Sequence, residues 1–277
     1  MTTADEISAL RRRTSTKWRS YEQDVLPMFI AEMDFPTPPR IKEALLAAVE
    51  NNDTGYAATA DRGPAQAWAD FAARRWNWRP DPERIAYTTD VTVVLVESLR
   101  RLVAPGDGVV ITPPVYAPFY DLVREAGGNV VEVPLQDDGT AYRLDVPGID
   151  AALAAGARAV LLCNPHNPLG LVHSREDLAA LAEVVERHGA HVVSDEIHAP
   201  MVHRGVDFTP YLSVSDAARR HGVAAASGSK AFNLAGLKAA MFVVDSGPMA
   251  RWLAALPPAV SYRTGILGLL ATREGFL

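Results

Sequence analysis

Between residues 85 and 244, short apolar runs alternate with amphipathic stretches, and this alternation constrains the fold more than any other feature of the chain. The predicted strands are residues 85–88, 109–112, 130–134, 159–163, 192–194, 223–226 and 239–244. The predicted helices between them are residues 92–103, 116–126, 149–155, 175–188 and 215–221. Strands and helices that alternate at this spacing form a mostly parallel sheet with helices packed on both faces. The sequence therefore predicts an α/β fold.

The regions that flank this alternation are patterned differently. Residues 41–50 predict an amphipathic helix, and residues 65–76 predict a second helix. Three prolines between Phe35 and Arg40 exclude a helix there, so residues 1–40 predict an N-terminal arm that lies on another part of the protein. Residues 261–277 predict the beginning of one long helix. The best-defined helix, at 175–188, begins with a capping pair of Ser174 and Asp177 and ends at Gly189.

Composition argues against several classes of protein. The chain has 277 residues, a hydrophobic content of 48% and a net charge of −6, and it lacks a large basic block. Nucleic acid and anionic membranes are therefore not expected as partners, and no apolar run reaches membrane-spanning length. With the single Cys163 no intrachain disulfide forms, and the first residues do not resemble a signal peptide, so we expect a cytoplasmic protein. The seven histidines show no metal-ligand spacing, and no metal site is predicted.

Polar side chains follow two of the predicted strands at the point where each strand ends. The strand at 192–194 leads into Asp195, Glu196 and His198, and the strand at 223–226 leads into Ser227, Ser229 and Lys230. Ligands of open α/β sheets bind at the carboxyl ends of the strands, so these groups are expected to line one crevice. A lysine amine attacks a carbonyl, and an aspartate pairs with a basic ring nitrogen. These residues suit pyridoxal 5′-phosphate (PLP), a cofactor with a carbonyl, a ring nitrogen and a phosphate.

Six motifs, in order along the chain, carry a resemblance to a known family. They are F-I-A-E-M-D-F, T-G-Y, P-V-Y-A-P-F-Y, N-P-H-N-P-L-G, S-D-E-I-H and S-G-S-K-A-F-N-L-A-G. The sequence resembles the fold-type I PLP enzymes of the class I/II aminotransferase superfamily, and within them the cystathionine β-lyase (C–S lyase) branch. The resemblance implies a PLP-binding large domain at 41–260. It makes residues 1–40 an arm and small-domain segment, and residues 261–277 the start of an interdomain helix.

The resemblance also implies what lies outside this sequence. Members of the family complete the small domain with a further C-terminal segment, which carries the arginine that binds the substrate α-carboxylate. Arg251, Arg263 and Arg273 do not lie in the matching motif. We therefore expect this chain to be a fragment with an incomplete small domain; the alternative is a naturally truncated and inactive protein.

The resemblance assigns roles around the cofactor residue by residue. Lys230 matches the lysine that bonds covalently to the cofactor aldehyde and later acts as general base at the substrate Cα. Asp195 matches the carboxylate that pairs with the pyridine nitrogen. Asn167 matches the donor to the phenolic oxygen, and His198 stands where aminotransferases often place a tyrosine facing the same oxygen. Tyr116 matches the aromatic side chain that stacks on the ring.

The cofactor phosphate has its own set of predicted ligands. Its oxygens would accept from backbone N–H groups at Thr92 and Val93, where a helix begins and its dipole favours an anion. Ser227 and Lys238 match side-chain ligands, although the lysine replaces an arginine and so cannot bind the phosphate in a bidentate manner. Tyr56 matches a tyrosine that reaches the phosphate of a neighbouring subunit, which implies a homodimer with shared active sites.

Each assigned residue also has an ordinary structural explanation. Lys230 could be a surface lysine, Asp195 a helix cap and Asn167 a turn residue before proline. Tyr116 could belong to the core, and Tyr56 could pack locally in its loop. His198 could likewise be a purely structural histidine. Leu169 departs from the family pattern, because a threonine is usual at that position.

The predicted function is a PLP-dependent carbon–sulfur β-lyase that cleaves cystathionine or related cysteine thioethers to pyruvate, ammonia and a thiol. A PLP-dependent aminotransferase of amino acids shares the first steps of this chemistry and is the first alternative. A non-catalytic regulatory protein on the same fold is the second. For both the lyase and the aminotransferase function, the expected binding partner is a small amino-acid substrate.

Overall fold

A computed structural model describes residues 3–277, in which nine strands and twelve α-helices are numbered in chain order. The strands are β1 Ile85–Thr88, β2 Gly108–Ile111, β3 Asn129–Glu132, β4 Gln136–Asp137, β5 Tyr142–Arg143, β6 Ala157–Cys163, β7 His191–Asp195, β8 Gly222–Ala226 and β9 Ala240–Val243. The helices are α1 Ile7–Leu10, α2 Thr16–Arg19, α3 Pro39–Glu50, α4 Gly63–Trp76, α5 Val91–Leu102, α6 Pro118–Glu125, α7 Val146–Ala154, α8 Arg175–Arg187, α9 Asp216–His221, α10 Gly247–Ala254, α11 Pro258–Tyr262 and α12 Ile266–Phe276.

Seven strands form one sheet in the order β1-β9-β8-β7-β6-β2-β3. Strands β8, β7, β6, β2 and β3 are parallel, whereas β9 runs antiparallel to both of its neighbours, β8 and β1. Every residue of β8 and β9 is buried, which is the expected result when helices cover both faces of a sheet. The predicted α/β fold with a mostly parallel sheet is confirmed.

The core lies in two apolar layers, one on each face of the sheet. In β6, Val160 and Leu162 point into one layer, while Leu161 and Cys163 point into the other. This alternation follows from the two-residue period of a strand. The first layer is completed by apolar residues of α4, α8 and α12, and the second by those of α5, α6 and α10.

The ends of α8 agree with the predicted capping. Ser174 Oγ accepts a hydrogen bond of 3.0 Å from the backbone N–H of Asp177. Gly189 follows the helix with a φ of +59°, a left-handed conformation that glycine adopts without a steric penalty. Both local predictions are confirmed.

The single long helix predicted for residues 261–277 is wrong. Helix α11 ends at Tyr262, and the chain becomes helical again at Ile266, with Gly265 in an extended conformation between the two helices. At this break Thr264 is buried, and α12 then packs against α3 and α4.

Helix α10 is an element that the sequence patterns did not predict. Its start nevertheless carries two ordinary signals, because Ser246 Oγ accepts from the N–H of Met249 and Pro248 occupies the first turn. Within residues 3–277, no helix has both the length and the apolar character of a membrane span.

Candidate active site

The carboxyl ends of three neighbouring strands meet at one edge of the sheet. Cys163, the last residue of β6, pairs with Asp195, the last residue of β7. Strand β8 lies on the other side of β7 and leads through Ser227 into the loop that carries Lys230. The pairing of parallel strands therefore brings together residues that are far apart in the sequence.

A cavity of about 500 Å³ opens at this edge. The predicted site residues on its wall are Thr92, Tyr116, Asn167, Asp195, His198 and Lys230. The wall also includes Phe29, Ile30 and Ala31 of the N-terminal arm, which the sequence did not predict there. A second cavity of about 350 Å³ adjoins the first and shares Ala31, Asn167 and His198 with it.

Asp195 is a buried carboxylate that can accept more hydrogen bonds than it does within the protein. Its side chain is enclosed, with the residue 7% exposed, and Oδ1 accepts from the N–H of Ile197 at 3.2 Å. Burial raises the pKa of Asp195 to about 6, and the charge of Lys230 acts in the opposite direction. A carboxylate has about four acceptor positions. Asp195 is therefore suited to accept from a cationic ring N–H, whose charge would offset the cost of burying the carboxylate.

Lys230 is partly buried and faces the same cavity. Its Nζ donates a hydrogen bond of 3.2 Å to the carbonyl oxygen of Ala31 in the arm. Burial lowers the pKa of His198, and the charge of Lys230 lowers it further. The lowered pKa favours the neutral form of His198, in which one ring nitrogen donates and the other accepts.

Tyr116 contributes an aromatic ring to the cavity wall, and Asn167 contributes a polar side chain. The Tyr116 ring contacts Phe119 edge-on at 5.9 Å between centroids, and burial raises the pKa of the Tyr116 hydroxyl, with the Asp195 carboxylate as the second cause. The Asn167 backbone N–H donates to Cys163 Sγ at 3.2 Å. Among the described residues, the Asn167 side-chain amide has no hydrogen-bond partner, so it is available to a ligand in the cavity.

The predicted phosphate ligands are arranged less simply than the sequence implies. Helix α5 begins at Val91, so Thr92 lies in its first turn on the cavity wall, and Val93 lies one position further in and off the wall. Lys238 is exposed and forms an ion pair of 3.0 Å with Asp90, the residue that precedes α5. The start of this helix can hold an anion, but Asp90 competes for the nearby cation.

Ser227 is buried beneath the site. Its Oγ donates to the carbonyl oxygen of Ala239 at 2.7 Å and lies 2.8 Å from Ser229 Oγ. Ser229, two residues on, lies on the cavity wall in its place. The S-G-S-K motif contains both serines, but only the fold shows which of them faces the cavity.

Tyr56 lies away from the cavity. It occupies the loop between α3 and α4 and is 91% exposed. Its assignment to the phosphate of a neighbouring subunit remains a prediction. Within residues 3–277, no three His, Cys, Asp or Glu side chains come close enough together to hold a metal ion.

Glu196 supports the site from below. It is 3% exposed, and its Oε1 accepts from the N–H of Tyr211 at 2.8 Å and from Ser194 Oγ at 3.1 Å. Burial raises the pKa of Glu196 to about 8. These bonds fix the chain at the end of β7 and so hold Asp195 in place.

A lysine and a buried aspartate at neighbouring strand ends, beside the start of a helix, match the ligand site of α/β proteins of the aminotransferase type. The chain belongs to the family "Aminotransferase class I and II", whose model matches residues 23–271.

Relatives with known names agree with this assignment. The cystathionine beta-lyase PatB of Bacillus subtilis is 38% identical over 90% of this chain and 63% of its own length. The cystathionine beta-lyase of Corynebacterium glutamicum is 34% identical over 96% of this chain and 70% of its own length. The crystal structure of a Corynebacterium diphtheriae protein, provisionally named a PLP-dependent beta-cystathionase, is 33% identical with a TM-score of 0.93 and covers 100% of this chain and 71% of that one. The chain thus spans about two thirds of the length of these proteins.

Proposed function

We propose that this protein is a PLP-dependent carbon–sulfur β-lyase that cleaves cystathionine or a related cysteine thioether to pyruvate, ammonia and a thiol. The observation that supports it most is the shared cavity of Lys230 and the buried Asp195. Relatives that are 34–38% identical carry the name cystathionine beta-lyase.

The described residues fit PLP by their chemistry. Asp195 would hold a proton on the ring nitrogen, because its buried carboxylate is stabilised by a facing cation. The free amide of Asn167 and the neutral His198 would hydrogen-bond the phenolic oxygen. The first turn of α5 would bind the phosphate. Tyr116 would cover one side of the ring and limit the access of water.

Bound PLP would supply electron withdrawal from the substrate Cα, which makes the Cα proton acidic. Lys230 would then take this proton as general base. The bond between Cβ and sulfur breaks with its electron pair on sulfur, and the thiolate accepts a proton as it leaves. The remaining three-carbon fragment takes up water and yields pyruvate and ammonia. No oxidant or reductant is required, because the oxidation at Cα is balanced by the loss of the thiol from Cβ.

The test is the production of pyruvate from cystathionine without a keto-acid acceptor. We expect pyruvate and thiol in equal amounts, and at least about a thousandfold loss of activity in Lys230→Ala because both roles of the amine are removed. Pyruvate should be measured with lactate dehydrogenase and thiol with a chromogenic disulfide. Product that appears only after a keto acid is added would identify an aminotransferase instead.

The cofactor itself is tested by visible absorbance. Added PLP should give a yellow band that borohydride abolishes, and the cofactor mass should then be found on the peptide that contains Lys230. A folded protein without such a band would contradict the assignment of the cofactor. An unchanged cellular effect of Lys230→Ala would favour the regulatory alternative.

We also infer a homodimer and a cytoplasmic location. The homodimer is supported by the exposed Tyr56, which lies outside the cavity of its own subunit. The cytoplasmic location is supported by the single buried Cys163, which offers no disulfide.

A further inference from the structure

Residues 29–34 form an irregular strip, here termed the cover segment, beside the cavity. Phe29, Ile30 and Ala31 form part of the cavity wall. Ala31 lies on the wall of both cavities, so the position of this segment affects the whole site. The contacts that hold the cover segment in place therefore also determine the shape of the cavity.

The outer side of the cover segment is fixed to the N-terminal helices. Lys17 Nζ lies 2.7 Å from Asp34 Oδ2 and donates to the carbonyl oxygen of Glu32 at 2.9 Å. Lys17 is only 7% exposed, so its charge is well shielded from water. Trp18 Nε1 also donates to Asp34, at 3.1 Å. These bonds attach the cover segment to α2. They do not attach it to the part of the protein that contains the seven-stranded sheet.

On the inner side, the side-chain amide of Asn233 binds the cover segment to the loop that carries Lys230. Its Oδ1 accepts from the N–H of Met33 at 2.9 Å, and its Nδ2 donates to the carbonyl oxygen of Met33 at 3.0 Å. A single side chain thus bonds to both backbone groups of a residue 200 positions away, and the Met33 carbonyl oxygen also accepts from Arg13 Nη1 at 2.9 Å. The Asn233 backbone has a φ of +58°, a left-handed conformation in which asparagine is tolerated better than most residues.

Lys230 makes a second link to the cover segment, but of a different kind. Its Nζ donates to the carbonyl oxygen of Ala31 at 3.2 Å. This bond occupies the amine that the proposed chemistry requires, so it is lost whenever the amine reacts. The two bonds of Asn233 do not involve that amine, so its reaction does not remove them.

We propose that Asn233 is a positioning residue that holds the cover segment against the Lys230 loop, and so keeps Ile30 and Ala31 on the cavity wall while the Lys230 amine is released to react. This inference rests on the proposed function for its catalytic consequence alone. The physical attachment of the segment can be tested without any activity.

The direct test is Asn233→Gly, with Asn77→Gly as its matched control. Glycine adopts a φ near +58° without strain, so the first variant removes the amide and leaves the backbone conformation available. Asn77 has a φ of +51° at the end of α4 and does not line either cavity. Asn233→Asp is the second variant, because it keeps an acceptor for the N–H of Met33 but loses the donor to the carbonyl.

The first readout is limited proteolysis with chymotrypsin, located by mass spectrometry. Tyr21 and Phe29 are exposed cleavage sites within or beside the cover segment. The loss of two hydrogen bonds should speed cleavage at these sites by about tenfold or more in Asn233→Gly, less in Asn233→Asp and not at all in Asn77→Gly. Cleavage within residues 41–260 should stay at the wild-type rate.

The second readout is the kinetics of the loaded enzyme. We expect Asn233→Gly to keep the visible absorbance band, because Lys230 and Asp195 are intact. KM should rise several-fold while kcat stays within about twofold of wild type, since the substrate-facing wall is loosened rather than the reacting groups. A merely structural role would not separate KM from kcat in this way.

Two results would overturn the inference. One is an unchanged cleavage rate at the cover segment in Asn233→Gly. The other is faster cleavage spread equally over residues 41–260, which would mean that the whole domain is destabilised. If wild type gives neither pyruvate nor an absorbance band, the proposed function fails, but the proteolysis comparison still decides the role of Asn233.

Discussion

The ammonium group of Lys238 lies 3.0 Å from the carboxylate of Asp90, directly before the first turn of α5. The pair places a negative charge beside the point where an anion would bind, and it neutralises the nearest predicted phosphate ligand. Both side chains are partly exposed, at 56% and 33%, so the pair contributes little to the stability of the fold. Its main effect should therefore be on ligand affinity.

Asp90→Asn and Lys238→Met should change cofactor affinity in opposite directions. Asp90→Asn leaves an unpaired cation and should lower the Kd for PLP by about threefold to tenfold, whereas Lys238→Met leaves an unpaired carboxylate and should raise it by a similar factor. The Kd should be measured by absorbance titration at low and at high salt. Equal effects of the two variants in the same direction would contradict this electrostatic account.

The buried Asp195 should make the stability of the cofactor-free protein depend on pH. Burial raises the pKa of Asp195 to about 6 from 3.8, so between these values the folded state binds more protons than the unfolded state. Stability contributed by this group is thus present at low pH and is lost as the pH rises from about 4 to about 6. Asp195→Asn does not titrate, so relative to wild type it should gain about 3 kcal/mol of unfolding free energy across this range.

This prediction is checked by denaturant unfolding of both proteins at about pH 4 and about pH 7. Glu196 also titrates with a raised pKa, but it is present in both proteins and largely cancels in the comparison. A difference between wild type and Asp195→Asn that is independent of pH would contradict the prediction. At neutral pH, PLP should raise the Tm of wild type more than that of Asp195→Asn, because only the carboxylate can pair with a cationic ring.

The sequence predicts the chemically central part of the site because that part is local. Asp195 and Lys230 each follow an apolar run directly, and a parallel sheet brings neighbouring strand ends together. The same argument places Asn167 after β6. For these residues, the end of a predicted strand and the rule that ligands bind at the carboxyl ends of parallel strands are sufficient to predict their place in the site.

The remaining parts of the site depend on tertiary contacts that no local pattern encodes. The contact between Met33 and Asn233 joins residues 200 positions apart. The sequence of the N-terminal arm has no hydrophobic periodicity that would indicate which part of the protein it packs against. Ser227 and Ser229 stand in one motif, and only the turn after β8 decides which one is buried. The sequence pattern does not predict the break at Gly265, because α12 is positioned by its packing against other helices.

Helix α12 makes a close contact with residues 237–239 at Gly268. A Cβ atom there would overlap the carbonyl oxygen of Leu237 and lie 2.9 Å from the Cβ of Ala239. Gly268→Ala should therefore destabilise the protein by about 1 to 3 kcal/mol, although alanine normally favours a helix. It should also weaken PLP binding, because Leu237 and Ala239 flank Lys238.

Gly247→Ala is the matched control, because a Cβ atom there meets nothing closer than 3.8 Å. Thermal and denaturant unfolding of both variants gives the comparison. We expect Gly247→Ala to remain within about 1 kcal/mol of wild type. Equal stability of the two variants would show that α12 shifts to accommodate the extra methyl group.

The predicted role of Tyr56 across a dimer interface can be tested with two inactive variants. If Tyr56 serves the active site of the neighbouring subunit, Tyr56→Ala and Lys230→Ala homodimers both have two defective sites. A hybrid dimer then has both defects in one site and none in the other. After unfolding and refolding as an equal mixture, half of the dimers should be hybrids, and activity should return to about a quarter of wild type.

The refolded single variants are the controls, and each should stay at its own low activity. The mixture should be compared with wild type refolded in the same way, so that losses on refolding cancel. If Tyr56 acts within its own subunit, every hybrid has one site without Lys230 and one without Tyr56. The mixture would then show only the average of the two single variants, and the shared active site would be disproved.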